Sequence, residues 1–181
     1  RDMAHQLLLW RKPQAKDLKN LQKKATTLGE MHFLSLLDGL GTVSVEEIQR
    51  ALASKAPELQ THALRFVKPA NLDSKLVDRI CDLALSPEAA VRFHAVLALG
   101  EIPSKQAGRG LARSALADSS SYHRAAVMSS LVPHQDPVIE TIAQADQKIV
   151  KPMLDSLFAT TIATGNDSGT VKLLTIGKPG D

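Results

Sequence analysis

Apolar residues recur at three- and four-residue spacing through residues 1–163, separated by polar ones, which is the pattern of packed amphipathic helices. The densest stretch is Pro87 to Glu101, PEAAVRFHAVLALGE. Ser86 is placed to N-cap a helix there. Pro87 suits its first turn because it has no N–H to leave unpaired, and Glu88 meets the positive end of the helix dipole. From Val91 the apolar positions go almost all the way round: Val91, Phe93, Ala95, Val96, Leu97, Ala98 and Leu99. A helix apolar on every side needs neighbours on every side. Gly100 is suited to end it as a left-handed cap.

The pattern repeats. His94-Ala95-Val96 has counterparts at steps of about thirty residues: Met3-Ala4, His32-Phe33-Leu34, His62-Ala63-Leu64, Arg124-Ala125-Ala126 and Leu154. A second amphipathic run separates each anchor from the next. Second helices are predicted around 2–12, 29–40, 57–67, 87–100, 120–131 and 152–163, with first helices at 14–26, 44–53, 72–85, 104–117 and 136–146. Pro13 ends the first of these, Ser44 and Glu47 form a capping box, and Pro152 reads as the first turn of the last. Two helices per fixed period predict an all-α solenoid. Residues 164–181, TGNDSGTVKLLTIGKPGD, lose the period and read as an irregular or weakly helical segment leading out of the array.

The run Val91-Arg92, Ala95, Ala98-Leu99-Gly100 resembles the second helix of a HEAT repeat, and the short period is similar to that of compact bacterial HEAT-like repeats. The resemblance implies a right-handed, ARM/HEAT-like superhelix of about five hairpins over residues 1–163. It also implies an Arg at the place of Arg92, pairing along the inner loops. Gln60 and Tyr122 fall at the corresponding places in other units, which breaks any such ladder.

Composition narrows the chemistry. Apolar residues make up 44% of the 181 but aromatics only 3%, so the core is built from Leu, Ala, Val and Ile. A formal charge of +3 does not by itself point to nucleic acid. One cysteine excludes an internal disulfide framework, and Cys81 falls on an apolar face as a small hydrophobe. No apolar run reaches the roughly 18–20 residues of a membrane span, so no membrane insertion is expected. The chain opens at Arg1-Asp2-Met3 within a helical pattern and reads as a piece of something longer. Met3, Leu7 and Trp10 would then be left uncovered, which predicts self-association through that end.

No catalytic, cofactor-binding or metal-binding signature is present. His32, His62 and His94 hold equivalent places, so they are predicted to form a packing ladder between repeats. Stacked helices lie about 8–10 Å apart, too far for these nitrogens to share one zinc. His123 and His134 fall near helix ends and read as solvent-facing. Lys12, Lys16, Lys19 and Lys23, with Arg11 and Lys24, form a basic face without interleaved aromatics, which reads as a solvated surface. Ser129, Ser130 and Tyr122 have no recognisable base, so no nucleophilic triad is indicated. Gly108 and Gly110 weaken their helix by about 1 kcal/mol each relative to Ala.

A more specific resemblance rests on Arg1-Asp2-Met3-Ala4-His5-Gln6-Leu7-Leu8, on His32 with Leu37-Asp38-Gly39-Leu40-Gly41, on His62-Ala63-Leu64-Arg65, and on Val91-Arg92-Phe93 with Leu97-Ala98-Leu99-Gly100-Glu101-Ile102. In this order they look like the helical middle region of membrane-bound dehydrogenases from planctomycete-type bacteria. In that group a β-propeller precedes the HEAT-like repeats and a c-type cytochrome follows. The resemblance implies a non-catalytic scaffold of a larger extracytoplasmic oxidoreductase, with neighbouring domains or another protein as partner. The alternatives are a free-standing protein-binding repeat module and, less favoured, a HEAT-like nucleic-acid enzyme.

Overall fold

The computed structural model describes residues 2–13, 18, 22, 25–69 and 72–176, the side chains of 2, 4 and 5 excepted. The described residues form eleven α-helices and no strand. The chain divides into two compact units, Arg1–Leu76 and Val77–Asp181, where the period predicts one array over 1–163.

The first unit contains α1 (Asp2–Arg11), α2 (Thr27–Gly39), α3 (Val45–Leu52) and α4 (Pro57–Leu64). Helix α1 packs on α2, and α4 packs on both α2 and α3. Leu18, Phe33, Leu36 and Leu37 are buried together, with Leu8, Leu9, Leu40 and Val43 partly buried against them. Local chemistry sets the ends. Thr26 Oγ1 accepts from the N–H of Gly29, and Ser44 and Glu47 make the reciprocal capping box. Gly41, at φ 67°, closes α2, with the N–H of Thr42 reaching back to the Leu37 carbonyl at 2.9 Å. Lys12 adopts φ 44° immediately before Pro13, where the helix cannot continue. Apart from Leu18 and Gln22, most of the first helix expected over 14–26 lies outside the described residues.

The unit boundary falls within α5 (Ser74–Leu83). The second unit continues with α6 (Ala89–Gly100), α7 (Lys105–Ala117), α8 (Ser121–Ser129), a 3-10 turn (Val132–His134), α9 (Gln135–Ile142), α10 (Gln147–Ala163) and α11 (Asp167–Ile176). Each helix packs on the next but one: α6 on α8 and α8 on α10 in one layer, α7 on α9 and α9 on α11 in the other. Val91, Ala95, Val96 and Leu99 of α6 are fully buried, as are Leu111, Ile139 and Ile142 in the facing layer.

Several expectations are corrected. Helix α6 begins at Ala89, not Pro87, with Glu88 as N-cap and no side-chain cap. The Ser86 and Pro87 carbonyls each accept from Arg92 Nη1 at 2.8 Å, which holds residues 86–88 in a turn ahead of the helix. Gly100 is not a left-handed cap, because it ends α6 and the C-cap Glu101 has φ −86°. Its requirement is steric: a Cβ there would lie 2.7 Å from Ser130 Cβ. Helix α10 starts at Gln147, capped by Asp146, so Pro152 lies inside it.

The segment after Ala163 takes the helical of the two forms expected of it. Gly165, at φ 70°, closes α10, with the N–H of Asn166 returning to the Thr161 carbonyl at 2.8 Å. Asn166 Oδ1 then accepts from Gly169 N–H at 2.8 Å, as a cap does, and opens α11. Leu173 is fully buried, and α11 packs on α9 and α10. Gly and Asn here punctuate two helices; they do not dissolve the fold.

Candidate docking surfaces

Polar side chains in this structure join positions about one repeat apart. In the first unit His62 Nε2 donates to the Met31 carbonyl at 3.0 Å, across 31 positions. It also lies 3.0 Å from Ser35 Oγ, whose own proton goes to the same carbonyl. Lys68 pairs with Asp38 across 30 positions. In the second unit Ser114 Oγ donates to the Ala84 carbonyl at 2.6 Å across 30, and His134 Nε2 donates to the Gly100 carbonyl at 3.3 Å across 34. Asn166 Nδ2 bonds Gln135 Oε1 and Asp136 Oδ1 across 31 and 30. These hydrogen bonds thus recur at about the same spacing as the apolar pattern.

The histidines are rearranged relative to the sequence reading. His32 is exposed, His62 is half-buried on α2 and α4, and His94 is half-buried with its ring edge-on to Phe93. His123 and His134, expected in solvent, are 4% and 1% exposed. Each lies at a helix start, where His123 meets Ser114 of the preceding helix α7 and His134 meets Gly100 at the end of α6. The Ser114 hydroxyl proton is committed to Ala84, so His123 Nε2 carries a proton and donates to Ser114 Oγ at 2.9 Å. Desolvation by burial lowers the pKa of His62, His123 and His134 in each case. All three are therefore neutral donors at neutral pH.

Cys81 is buried, its thiol donating to the Gln106 carbonyl at 3.8 Å, and burial raises its pKa. Among the described residues no group of three or more His, Cys, Asp or Glu is disposed to hold a metal ion, and no helix is long and apolar enough to cross a membrane. Of the basic face, Lys12 is exposed, and Lys16, Lys19 and Lys23 lie outside the described residues.

Arg92 bridges two loops. Besides holding the Ser86 and Pro87 carbonyls, its Nη2 meets Asp118 Oδ2 at 2.9 Å. Asp118 also accepts from the Ser120 N–H and hydroxyl, and these bonds first, then Arg92, lower its carboxyl to a pKa of about 2. In the first unit Gln60 does a similar job, its Nε2 donating to the Leu52 and Ser54 carbonyls. The counterpart of Arg92 in α8 is Arg124, not Tyr122. Both arginines are the fourth residue of their helices, and the buried Val91, Ala95, Ala98 and Leu99 match His123, Val127, Ser130 and Leu131. Tyr122 is 85% exposed.

Among the described residues, three open surfaces bear on docking. The α1 face bearing Met3, Leu7 and Trp10 is 79%, 48% and 77% exposed at those residues, while Leu8 and Leu9 turn toward the core. Between α8 and α10 lies a groove of about 290 Å³ lined by Ser121, Arg124, Ala125, Met128, Pro152, Met153 and Ser156. Between α7 and α9 a wider groove of about 560 Å³ is lined by Arg109, Arg113 and Glu140 among others. No family model matches this chain, and no curated protein or solved structure matches it either.

Proposed function

We propose that this chain is a non-catalytic scaffold and docking segment, a right-handed HEAT-like α-solenoid within a larger extracytoplasmic, membrane-bound dehydrogenase. The observation that carries the reading is the destination of its buried polar groups. Half-buried His62 and buried Ser114, His123 and His134 are each tied to a carbonyl or hydroxyl on a neighbouring helix or the turn that follows one. A group consumed in holding a seam is not poised to move a proton in a reaction. The uncovered α1 face supports docking, since exposed apolar stripes of this kind mark interaction sites. Oxidoreductase chemistry would belong to domains outside this chain, as the resemblance to the dehydrogenase middle region implies. A second reading is a free-standing protein-binding module, for which the α8–α10 groove would be a docking surface.

The test is made on the parent gene and on the purified chain. The gene should encode a propeller before this segment and a haem-binding domain after it, and the chain alone should reduce no artificial electron acceptor with sugar substrates. Turnover by the chain itself would overturn the proposal. A gene without flanking redox domains would leave the free-standing module in its place.

A further inference from the structure

We infer that the groove between α8 and α10 docks an extended segment of a partner protein, pairing an aspartate or glutamate of that segment with Arg124 and laying an adjacent aliphatic side chain on Met128 and Met153. The inference rests on the docking reading above and names the partner chemistry.

The neighbouring repeat shows the same guanidinium already satisfied. Arg92, fourth in α6, meets the carboxylate of Asp118 at 2.9 Å. Arg124, fourth in α8, belongs to no ion pair among the described residues, and it lines the groove. The reason is in the next repeat. The buried Met153, Leu157 and Thr161 of α10 match His123, Val127 and Leu131; in that register the place of Asp118 falls to Lys148, a cation that already lies in the first turn of α10 and not in a loop ahead of it. Asp146, two residues before it, is committed to capping α10, its Oδ1 accepting from Lys148 N–H at 2.8 Å. A half-buried arginine is thus left facing a cleft where its counterpart has an aspartate.

The rest of the lining says what accompanies the carboxylate. Met128, Met153, Pro152 and Ala125 make an apolar floor, and the thioethers adapt to different aliphatic shapes. Ser121 and Ser156 put hydroxyls at the walls, within reach of an extended backbone. A volume of about 290 Å³ suits a short peptide stretch. Nucleic acid is disfavoured, because the lining has a single cation and no aromatic on which a base could stack.

The probe is a blocked pentapeptide with one aspartate between two leucines, titrated into the whole chain while the methyl signals of Met128 and Met153 are followed by NMR. Saturable shifts at both methyls are expected. Arg124→Gln, or asparagine in place of the peptide's aspartate, should each weaken binding about tenfold or more, the loss of one charge-assisted bond. Ala125→Trp, made at an exposed position, should block the groove with the melting temperature kept. Equal binding to wild type and Arg124→Gln, shifts confined to other methyls, or no binding at millimolar peptide would overturn the inference. So would a short single-stranded oligonucleotide that binds there in preference to the peptide. If the peptide fails while the chain still associates with its parent's other domains through α1, the groove inference falls and the docking reading stands.

Discussion

Protonation of His62, His123 or His134 would place a charge where burial opposes it, so their charge state is coupled to the seams they hold. The folded pKa of each lies below the ordinary 6.5, so the unfolded chain binds protons first as pH falls. Their contribution is present in full above about pH 6.5 and is lost as pH falls below it, at up to about 1.4 kcal/mol per pH unit per histidine within that window. Urea midpoints measured from pH 7.5 to 5 should therefore decline, and His134→Gln should decline less steeply. A flat profile for the wild type would refute the coupling. Arg92 and Arg124 give a matched pair at the same scale. Arg92→Ala leaves the Ser86 and Pro87 carbonyls and Asp118 without their guanidinium, at a cost of about 1–3 kcal/mol. Arg124→Ala removes no pair within the described residues and should stay within about 0.5 kcal/mol in the same urea titration. Equal costs would show that the two arginines are not counterparts.

Helix α7 has glycines where its own propensity is weakened, and its neighbours explain them. A Cβ at Gly110 would fall 2.5 Å from Cys81 Sγ and 3.3 Å from Leu99 Cδ1, and one at Gly108 would collide with Pro137. Gly110→Ala should gain about 1 kcal/mol of helix propensity yet lose about 1–3 from overpacking, a net destabilisation. In a Cys81→Ala background the sulfur is gone, and the same change should become neutral or favourable. Urea denaturation of the four proteins of this cycle decides it, and an unchanged penalty in that background would exclude the sulfur as the obstacle. The example shows what was legible. The apolar spacing and the Ser44 and Gly41 signals marked α2 to α4 because they are local. The need for Gly100, Gly108 and Gly110 was not legible, since it depends on side chains about thirty residues away. Helix α11 is only weakly legible because Gly169 and Leu173 alone of its ten residues are buried, too few to make a period. The α10 start was missed because Pro152 carries the same signal at a first turn and inside a helix. Tyr122 falls at the place corresponding to Arg92 by sequence because alanine anchors align equally well two residues apart, whereas burial resolves the register to Arg124.

At the scale of the whole molecule, each unit is held by helices packed on their neighbours, and an apolar stripe without a neighbour among the described residues is a place where self-association can be tested. Helix α1 has that character. Leu8 and Leu9 pack against the cluster of Phe33, Leu36 and Leu37, while Met3, Leu7 and Trp10, at steps of four and three, form a stripe on its outer side. Two such stripes brought together remove apolar area from water at roughly 25 cal/mol per Å². Against this stands the entropy of association, which several ångström-scale side chains overcome only at raised concentration. The wild-type chain should therefore sediment as a monomer when dilute and shift toward larger species as concentration rises. Leu7→Glu, at a position 48% exposed, should abolish the shift while leaving the melting temperature within the range of an ordinary surface substitution. Wild type and variant that both remain monomeric at every concentration would remove the α1 face as a docking surface. A variant that melts much lower would instead place Leu7 in the core of the first unit.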